Sequence, residues 1–350
     1  MRRSLPPIIR AMSTPAPAPL PASGLGAPAA GYAPRLSGRS TGLLAAVVTV
    51  LIWTSFIVIA RASTDPARGA LLLPLDRGMA RICGAFAVLA PWGWWLTRRD
   101  RAAGVAGGHS FGGLSPLPFR MTVLTGFFGG ALYATFAYSG FAFAPAAHGS
   151  VLLPGGLPLW TSLLAVLVLG ERLHRERVAG LVLIVGGGLL VGGASLLHAL
   201  DGSGVWRGDL LFMAASMCWS VYSVLVRRHS LDAVRATIAI TVFAFCTYVP
   251  IYGVLVMAQV LPSHLGQAGW QFVLFQMVYQ GVGTVAISGI TFTTMIRYYG
   301  PVRSTMITAL VPGLSALAAA LLLGEALPWN VLAGLALVSA GILFGVRQKR

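Results

Sequence analysis

The chain has 350 residues, of which 56% are hydrophobic and 10% charged, and its formal net charge is +16. A soluble domain carries about 25% charged residues, so this composition excludes an ordinary soluble protein and indicates an integral membrane protein. A basic chain can also indicate nucleic-acid binding, but here the arginines lie in short loops between apolar segments, as in membrane proteins. We therefore predict a lipid bilayer, and no nucleic acid, as the partner of this chain.

Residues 1–40 are rich in Pro, Ala, Gly and Arg and contain no apolar core of the kind found in a cleavable signal peptide. We predict a disordered, basic tail on the cytoplasmic side of the membrane. Met12 is an alternative start, because nothing before it is typical of a folded segment.

From residue 43 onward, ten apolar segments follow one another with short connections. Each is close to the ~20 residues that a transmembrane helix needs. The pattern predicts an all-α integral membrane protein with ten transmembrane helices. The predicted spans are 43–60, 72–96, 121–142, 149–169, 178–198, 208–226, 236–259, 270–296, 303–323 and 328–346.

The distribution of basic residues predicts the orientation of these spans. With the N-terminus inside, 20 of the 25 Lys and Arg residues fall on the inner side, which places both termini in the cytoplasm. The other five are Arg61, Arg68, Arg77, Arg81 and Arg207. Arg77 and Arg81 share a face at the outer end of the second span, where we expect them to extend to the interface. Attraction of an anionic substrate in an outer vestibule is the alternative.

A repeated motif divides the chain into two halves. The segment LLAVLVLGERL at 163–173 is followed, 154 positions later, by LAAALLLGEAL at 317–327. Because each half has five spans, an odd number, the second half enters the membrane in the opposite sense, as in the inverted repeats of secondary transporters. The predicted halves are 43–198 and 208–346. Further matches at this offset are Ser150 with Ser304, Pro158 with Pro312, Gly180 with Gly334 and Gly187 with Gly341, while Trp53 matches Trp219 at an offset of 166.

Neutral polar residues at membrane depth are candidates for a substrate cavity, because they are costly in lipid and tend to face the bundle interior. The eighth span has a set spaced by three or four positions, which therefore shares one helical face. A stripe along the whole helix favours a wet cavity, and helix–helix hydrogen bonding is the alternative. The stripe consists of Gln276, Gln280, Thr284, Ser288 and Thr291.

Other spans contribute further candidates for the wall of this cavity. Pro154 and Pro158, with two glycines between them, predict a discontinuous fourth helix, which in transporters indicates a binding site. We expect spans 1, 3, 4, 6, 8 and 9 to form the wall, although the two tryptophans fit helix packing equally well. The remaining candidates are Trp53, Tyr133, Trp219, Ser223, Thr305 and Thr308.

All nine acidic residues lie in loops or at span ends. A carboxylate in mid-membrane usually serves a proton relay, so this placement favours uncoupled transport or coupling through a group at a span edge. Glu171 and Glu325 fit helix termination with pairing to nearby arginines or, alternatively, a gate or coupling group. Histidine has an ordinary pKa close to neutral pH, so His148 is a further gating or coupling candidate, with a polar cap at the span end as the alternative. Arg81 is the other gating or coupling candidate.

The three cysteines lie in apolar spans and lack the spacing of a disulfide framework or a metal site, so neither a metal nor a cofactor is predicted. The fifth and tenth spans are rich in glycine, including pairs spaced as G-x-x-x-G, a pattern that allows close helix approach. These two spans are predicted to form a scaffold or a homodimer surface.

Four segments resemble the drug/metabolite transporter superfamily, of the EamA type. They are LIWTSFIVIAR (51–61), HGSVLLPGGLPLWTSLLAVLVLGERL (148–173), CWSVYSVLVRR (218–228) and RSTMITALVPGLSALAAALLLGEAL (303–327). The resemblance covers residues 43–346 and implies a secondary transporter of the inner membrane, whose two halves rock around a central cavity. It implies export of a small polar or amphipathic metabolite, such as an amino acid.

Two other functions stay open from the sequence. An intramembrane lipid-modifying enzyme would need a convergent catalytic set, and no His/Asp/Glu cluster has metal-ligand spacing. A passive channel or scaffold is the other alternative. The expectation is therefore a transporter and not an enzyme.

Overall fold

The computed structural model describes residues 38–62, 72–104, 108–144, 146–171, 174–197, 204–323 and 329–346. Across these residues the protein is helical, and its β-structure is limited to an isolated bridge between Ser110 and Ser115. The all-α fold class predicted from the sequence is confirmed. Most of the N-terminal tail, Arg68 and Glu325 lie outside the described residues.

Ten spans, α1 to α10, correspond to the ten apolar segments predicted from the sequence. Seven of them are unbroken: α1 Gly38–Ala62, α2 Pro74–Ala102, α4 Ala146–Leu169, α5 Arg175–Leu197, α6 Val205–Arg228, α7 Ala233–Met257 and α10 Trp329–Val346. The other three are composite: α3 joins Phe119–Gly126, Phe127–Leu132 and Tyr133–Phe143; α8 joins Trp270–Gln276, Met277–Ile287 and Ser288–Tyr299; α9 joins Pro301–Thr308 and Val311–Leu323. In the described part of the chain, 7 helices are long and apolar enough to cross a membrane, and this set differs from the seven unbroken spans because it includes the composite α3, α8 and α9.

Consecutive spans run in opposite directions, so their contacts define two ends of the bundle. At the Asp100 end, Arg235 at the start of α7 donates to both carboxylate oxygens of Asp100 in the last turn of α2, over 2.6 and 2.9 Å. At the His264 end, the backbone N–H of His264 donates to Asp76 near the start of α2, over 2.8 Å. Each end is therefore held by a carboxylate of α2 that reaches the second half.

The last helices of the two halves, α5 and α10, pack through reciprocal glycine contacts. A Cβ atom at Gly187 would lie 2.6 Å from the carbonyl oxygen of Gly334, and one at Gly341 would lie 2.6 Å from that of Gly180. Gly334 and Gly341 are the repeat equivalents of Gly180 and Gly187, so the contact maps onto itself. The two inverted halves are thus related by an approximate two-fold axis between these helices. A homodimer through the glycine-rich spans stays a prediction, and it would use their other faces.

The third helix of each half contains a π-helical segment, 127–132 in α3 and 277–287 in α8. Such segments are rare and occur often at functional sites. In α8 the segment lies in backbone contact with α2, since a Cβ atom at Gly281 would be 2.4 Å from the amide nitrogen of Ala85. Glycine is therefore required where α8 crosses α2.

The discontinuity predicted for the fourth helix is wrong, because α4 continues through Pro154 and Pro158 as one helix. Two prolines four residues apart affect one helical face, and Pro154 lines the central cavity, where freed carbonyls are tolerated. The break occurs instead in α9, between Thr308 and Val311. Pro312 there has no N–H for the carbonyl of Thr308, and the second segment of α9 begins where that missing donor costs little.

Candidate functional site

A central cavity lies where the two halves meet, with about 740 Å³ of empty space that includes its opening. Spans α1, α3, α4, α6, α8 and α9, which the sequence suggested for the wall, all contribute, and α2 adds Arg81. The lining residues include Trp53, Phe56, Arg81, Tyr133, Leu153, Pro154, Leu157, Trp219, Thr284 and Ser288.

An aromatic cluster forms one wall of the cavity. Trp53 stacks on Phe292 with ring centroids 5.2 Å apart and contacts Trp219 edge-on at 6.2 Å. Trp219 also lies 5.0 Å from Tyr133. The indole N–H of Trp53 donates to the hydroxyl of Ser288 over 3.1 Å. The two tryptophans that occupy equivalent places in the repeats therefore meet at the interface of the halves and also line the cavity.

Arg81 lies inside the bundle, and the expectation that it extends to the interface is wrong. It is seven residues after the start of α2, or about 10 Å along the helix. Its guanidinium contacts the carbonyl oxygen of Thr284 at 3.5 Å and lies 5.9 Å from the centroid of the Phe56 ring. Arg77 is also buried, with 9% exposure. The close packing of α2 against the second half holds both side chains away from lipid.

Four residues of the polar stripe of α8 form two parts with different surroundings. Thr284 and Ser288 line the cavity. Gln276 and Gln280 are buried nearer the His264 end, where Gln280 donates to Gln276 over 3.1 Å and accepts from the hydroxyl of Tyr138 at 3.3 Å. The glutamines are thus joined to each other and to α3, and they do not belong to the lining of the cavity.

Four other residues expected at the site lie outside the cavity lining. Thr305 shares a 2.7 Å hydrogen bond with Thr161 of α4, and Thr308 donates to the carbonyl of Thr305. Ser223 donates to the carbonyl of Trp219 over 2.8 Å. Pro158 is buried one turn beyond Pro154. The hydroxyls of Thr305, Thr308 and Ser223 therefore connect helices or bond within their own helix.

Of the three acid–base candidates Glu171, His148 and Glu325, the structure describes the side chain of Glu171 alone. Glu171 pairs with Arg177 at 3.3 Å, directly after Gly170 ends α4 with φ +67°. This geometry is that of helix termination with a nearby arginine. The backbone of His148 belongs to α4, but its side chain is outside what the structure describes, and so is Glu325.

A second, smaller cavity of about 470 Å³ adjoins the first. Arg81, Tyr133, Trp219 and Thr284 line both spaces and therefore separate them. The far side is formed by α7, which the sequence had not indicated as a wall, including Thr237 and Thr241. Their hydroxyls bond to carbonyls of their own helix, so this face contributes few free polar groups.

The sequence did not indicate the buried carboxylate of Asp76, which has 0% exposure. It accepts hydrogen bonds from the hydroxyl of Tyr252 and from the backbone N–H groups of His264 and Leu73. The helix-start pattern of Pro74 at the first position and an acid at the third was the signal that could have identified it. Asp76 thereby ties α2 to the connection between α7 and α8.

Comparison with known proteins places this architecture among transporters. The model of the EamA-like transporter family matches residues 40–193 and 206–347. A "Probable amino-acid metabolite efflux pump" of Salmonella typhimurium is 27% identical over 248 residues, which is 66% of this chain and 79% of that protein.

Two further comparisons are less extensive or less specific. An "Uncharacterized transporter YyaM" of Bacillus subtilis is 27% identical over 95 residues, 27% of this chain and 31% of that protein. A solved crystal structure superposes with a TM-score of 0.58 over 87% of this chain and 96% of its own, at 23% identity. At that identity the structural likeness shows the fold alone.

Proposed function

The chain belongs to the EamA-like transporter family of the drug/metabolite transporter superfamily, and from this premise we propose that it is a secondary transporter that exports small polar or amphipathic metabolites, such as amino acids. Transport takes place by alternating access, with one five-helix half rocking against the other around the central cavity. The protein resides in the inner cell membrane with both termini in the cytoplasm.

The observation that carries this proposal is the position of the cavity between two inverted halves. Its residues come from both repeats, and Trp53 and Trp219 meet there across the repeat axis. In transporters with inverted repeats the substrate site lies at the repeat interface, and rocking exposes it to each side in turn. The carboxylates of Asp76 and Asp100 join the halves at opposite ends, where such rocking has to make and break contacts.

The direction and the substrate class are supported by the relative from Salmonella typhimurium, which carries the name of an efflux pump for amino-acid metabolites. The orientation is supported by the basic residues of the described loops and helix ends, most of which lie at the Asp100 end. Since Arg77 and Arg81 are inside the bundle, the outer side keeps only Arg61, Arg68 and Arg207 of the five assigned to it. This increases the asymmetry on which the orientation rests.

Counterflow in proteoliposomes tests the proposal against a passive channel, a scaffold and an intramembrane enzyme. Vesicles are loaded with unlabelled amino acids and their N-acetyl derivatives one at a time, and uptake of the labelled compound is followed. A carrier accumulates label transiently, because the loaded substrate drives exchange, whereas the alternatives do not. Absence of counterflow for every compound would contradict the proposed function.

A matched pair of tryptophan variants connects the flux to the cavity. We expect Trp219→Leu to reduce counterflow by about tenfold or more, because it removes aromatic surface from the wall. Trp270→Leu, on a side chain that is 72% exposed, is the control. Equal flux through both variants would show that the substrate does not pass this wall.

A further inference from the structure

The cavity has a cation without an acidic partner among the described residues. Arg81 has five N–H donors, and its hydrogen bonding in the described structure is one 3.5 Å contact with the carbonyl oxygen of Thr284. Charge-assisted hydrogen bonds of a guanidinium are usually about 2.7–2.9 Å long, so this contact leaves most of its capacity unused. A charged side chain at membrane depth is costly unless it is paired or faces water or a ligand.

Four of the described carboxylates bind groups away from the cavity. Asp76 accepts three hydrogen bonds at the His264 end, and Asp100 pairs with Arg235 at the other end. Glu171 and Asp232 pair with Arg177 and Arg297. No carboxylate belongs to the described lining of the cavity. Arg81 therefore makes the electrostatic potential inside the cavity positive, which favours binding of an anion over binding of a cation.

The rest of the wall is mainly aromatic and apolar. Trp219, which is 9% exposed, lies in this wall beside Tyr133. Trp53, Tyr133 and Leu153 provide a surface for a hydrophobic body. A guanidinium without an acidic partner beside an apolar wall matches a ligand that has an anionic group at one end and a hydrophobic group at the other.

We propose that the cavity takes an organic monoanion, with its carboxylate on Arg81 and its apolar or aromatic part against Trp53, Tyr133 and Trp219. One guanidinium matches one negative charge, and its planar fork fits a carboxylate in a bidentate manner. This assignment rests on the proposed function and specifies its substrate class. An amino acid whose amino group is acylated fits better than the free zwitterion, because the lining contains no described acid for an ammonium group.

Three probes with the same phenyl body test the assignment: N-acetylphenylalanine (net charge −1), phenylalanine (zwitterion) and phenylalanine amide (net charge +1). Binding to the purified full chain in lipid nanodiscs is measured by calorimetry, and counterflow of each probe is measured separately. We expect the anion to bind about tenfold or more tightly than the amide. We expect Arg81→Gln to remove that preference and Arg81→Lys to keep part of it.

Arg98→Gln is the control, since the Arg98 guanidinium lies 3.6 Å from the centroid of the exposed Trp94 ring, outside the cavity. Thermal unfolding of each variant verifies that it is folded. The assignment is overturned if the amide binds as tightly as the anion, if wild-type protein binds none of the probes, or if Arg81→Gln and Arg98→Gln behave alike. Anion binding without counterflow would refute the transport proposal and leave the assignment standing. Counterflow without a preference for the anion would support the transport proposal and overturn the assignment.

Discussion

Replacing Gly187 by alanine tests the reciprocal contact that joins α5 to α10. A Cβ atom at Gly187 would lie 2.6 Å from the carbonyl oxygen of Gly334, whereas ordinary contact begins at 3.4 Å. The two helices would have to separate locally by the difference, 0.8 Å. The obstacle is backbone and not the end of a flexible side chain, so the helices have to move and no rotamer change relieves the clash.

The adjacent Gly186 provides a matched control, because a Cβ atom there has nothing within 4 Å. Both substitutions gain the ~1 kcal/mol by which alanine favours a helix over glycine. Gly187→Ala alone carries the overpacking cost of about 1–3 kcal/mol. We therefore expect Gly187→Ala to be less stable than Gly186→Ala by about 1–3 kcal/mol, or by at least roughly 2 °C in the midpoint of thermal unfolding.

The assay is thermal unfolding of the purified protein in detergent, followed by the fluorescence of its nine tryptophans. Because the contact is symmetric, Gly341→Ala should lower the midpoint of thermal unfolding nearly as much as Gly187→Ala does. The double variant should cost less than the sum, because helices already separated by one methyl group accommodate the other more easily. Equal midpoints for Gly186→Ala and Gly187→Ala would refute the packing described here.

Two further predictions concern the Asp100 end. Arg235→Gln should cost about 1–2 kcal/mol of stability, because Arg235 donates to both oxygens of the half-buried Asp100. Arg297→Gln should cost about 0–1 kcal/mol, because the side chains of its 3.3 Å pair with Asp232 are 56% and 45% exposed. Chemical unfolding of the two variants checks this order, and equal losses of stability would contradict it. Burial, and then the charge of the preceding arginine, lower the pKa of His229 below its ordinary value, so the unfolded chain binds a proton at a higher pH than the folded protein does. Stability should therefore fall as the pH decreases from about 6.5, and His229→Gln should reduce this fall in midpoints measured between about pH 7 and pH 5; an unchanged pH profile would show that His229 is not the group responsible.

The architecture could be read from the sequence because it depends on local chemistry. A span of about 20 apolar residues is a transmembrane helix wherever it lies in the chain. The offset of 154 that aligns Gly187 with Gly341 reappears as the reciprocal contact between α5 and α10. The polar spacing in α8 correctly indicated that Thr284 and Ser288 share a face, and both line the cavity.

The candidate site was less predictable, because sequence spacing shows which residues share a helical face but not what that face packs against. Gln280 lies on the same stripe as Thr284, yet it meets Tyr138 of α3 instead of the cavity. Thr305 has the same kind of spacing, and its hydroxyl bonds to Thr161 across 144 positions of sequence. Hydroxyls and amides are satisfied equally well by a cavity or by another helix, so periodicity alone could not separate the two outcomes.

By itself the sequence determined that this is a ten-span membrane protein of two inverted halves, because hydrophobicity, span length and duplication are properties of the chain. Only the tertiary structure decided that Arg81 lies in the cavity, that Asp76 is buried and that α9, not α4, is interrupted. These features depend on how far each helix is rotated and how closely it packs. The close packing of α2 against α8 depends on Gly84 in α2 and Gly281 in α8, where a Cβ atom would meet the backbone of the other helix. This approach keeps Arg81, which the sequence alone had assigned to the membrane surface, inside the bundle.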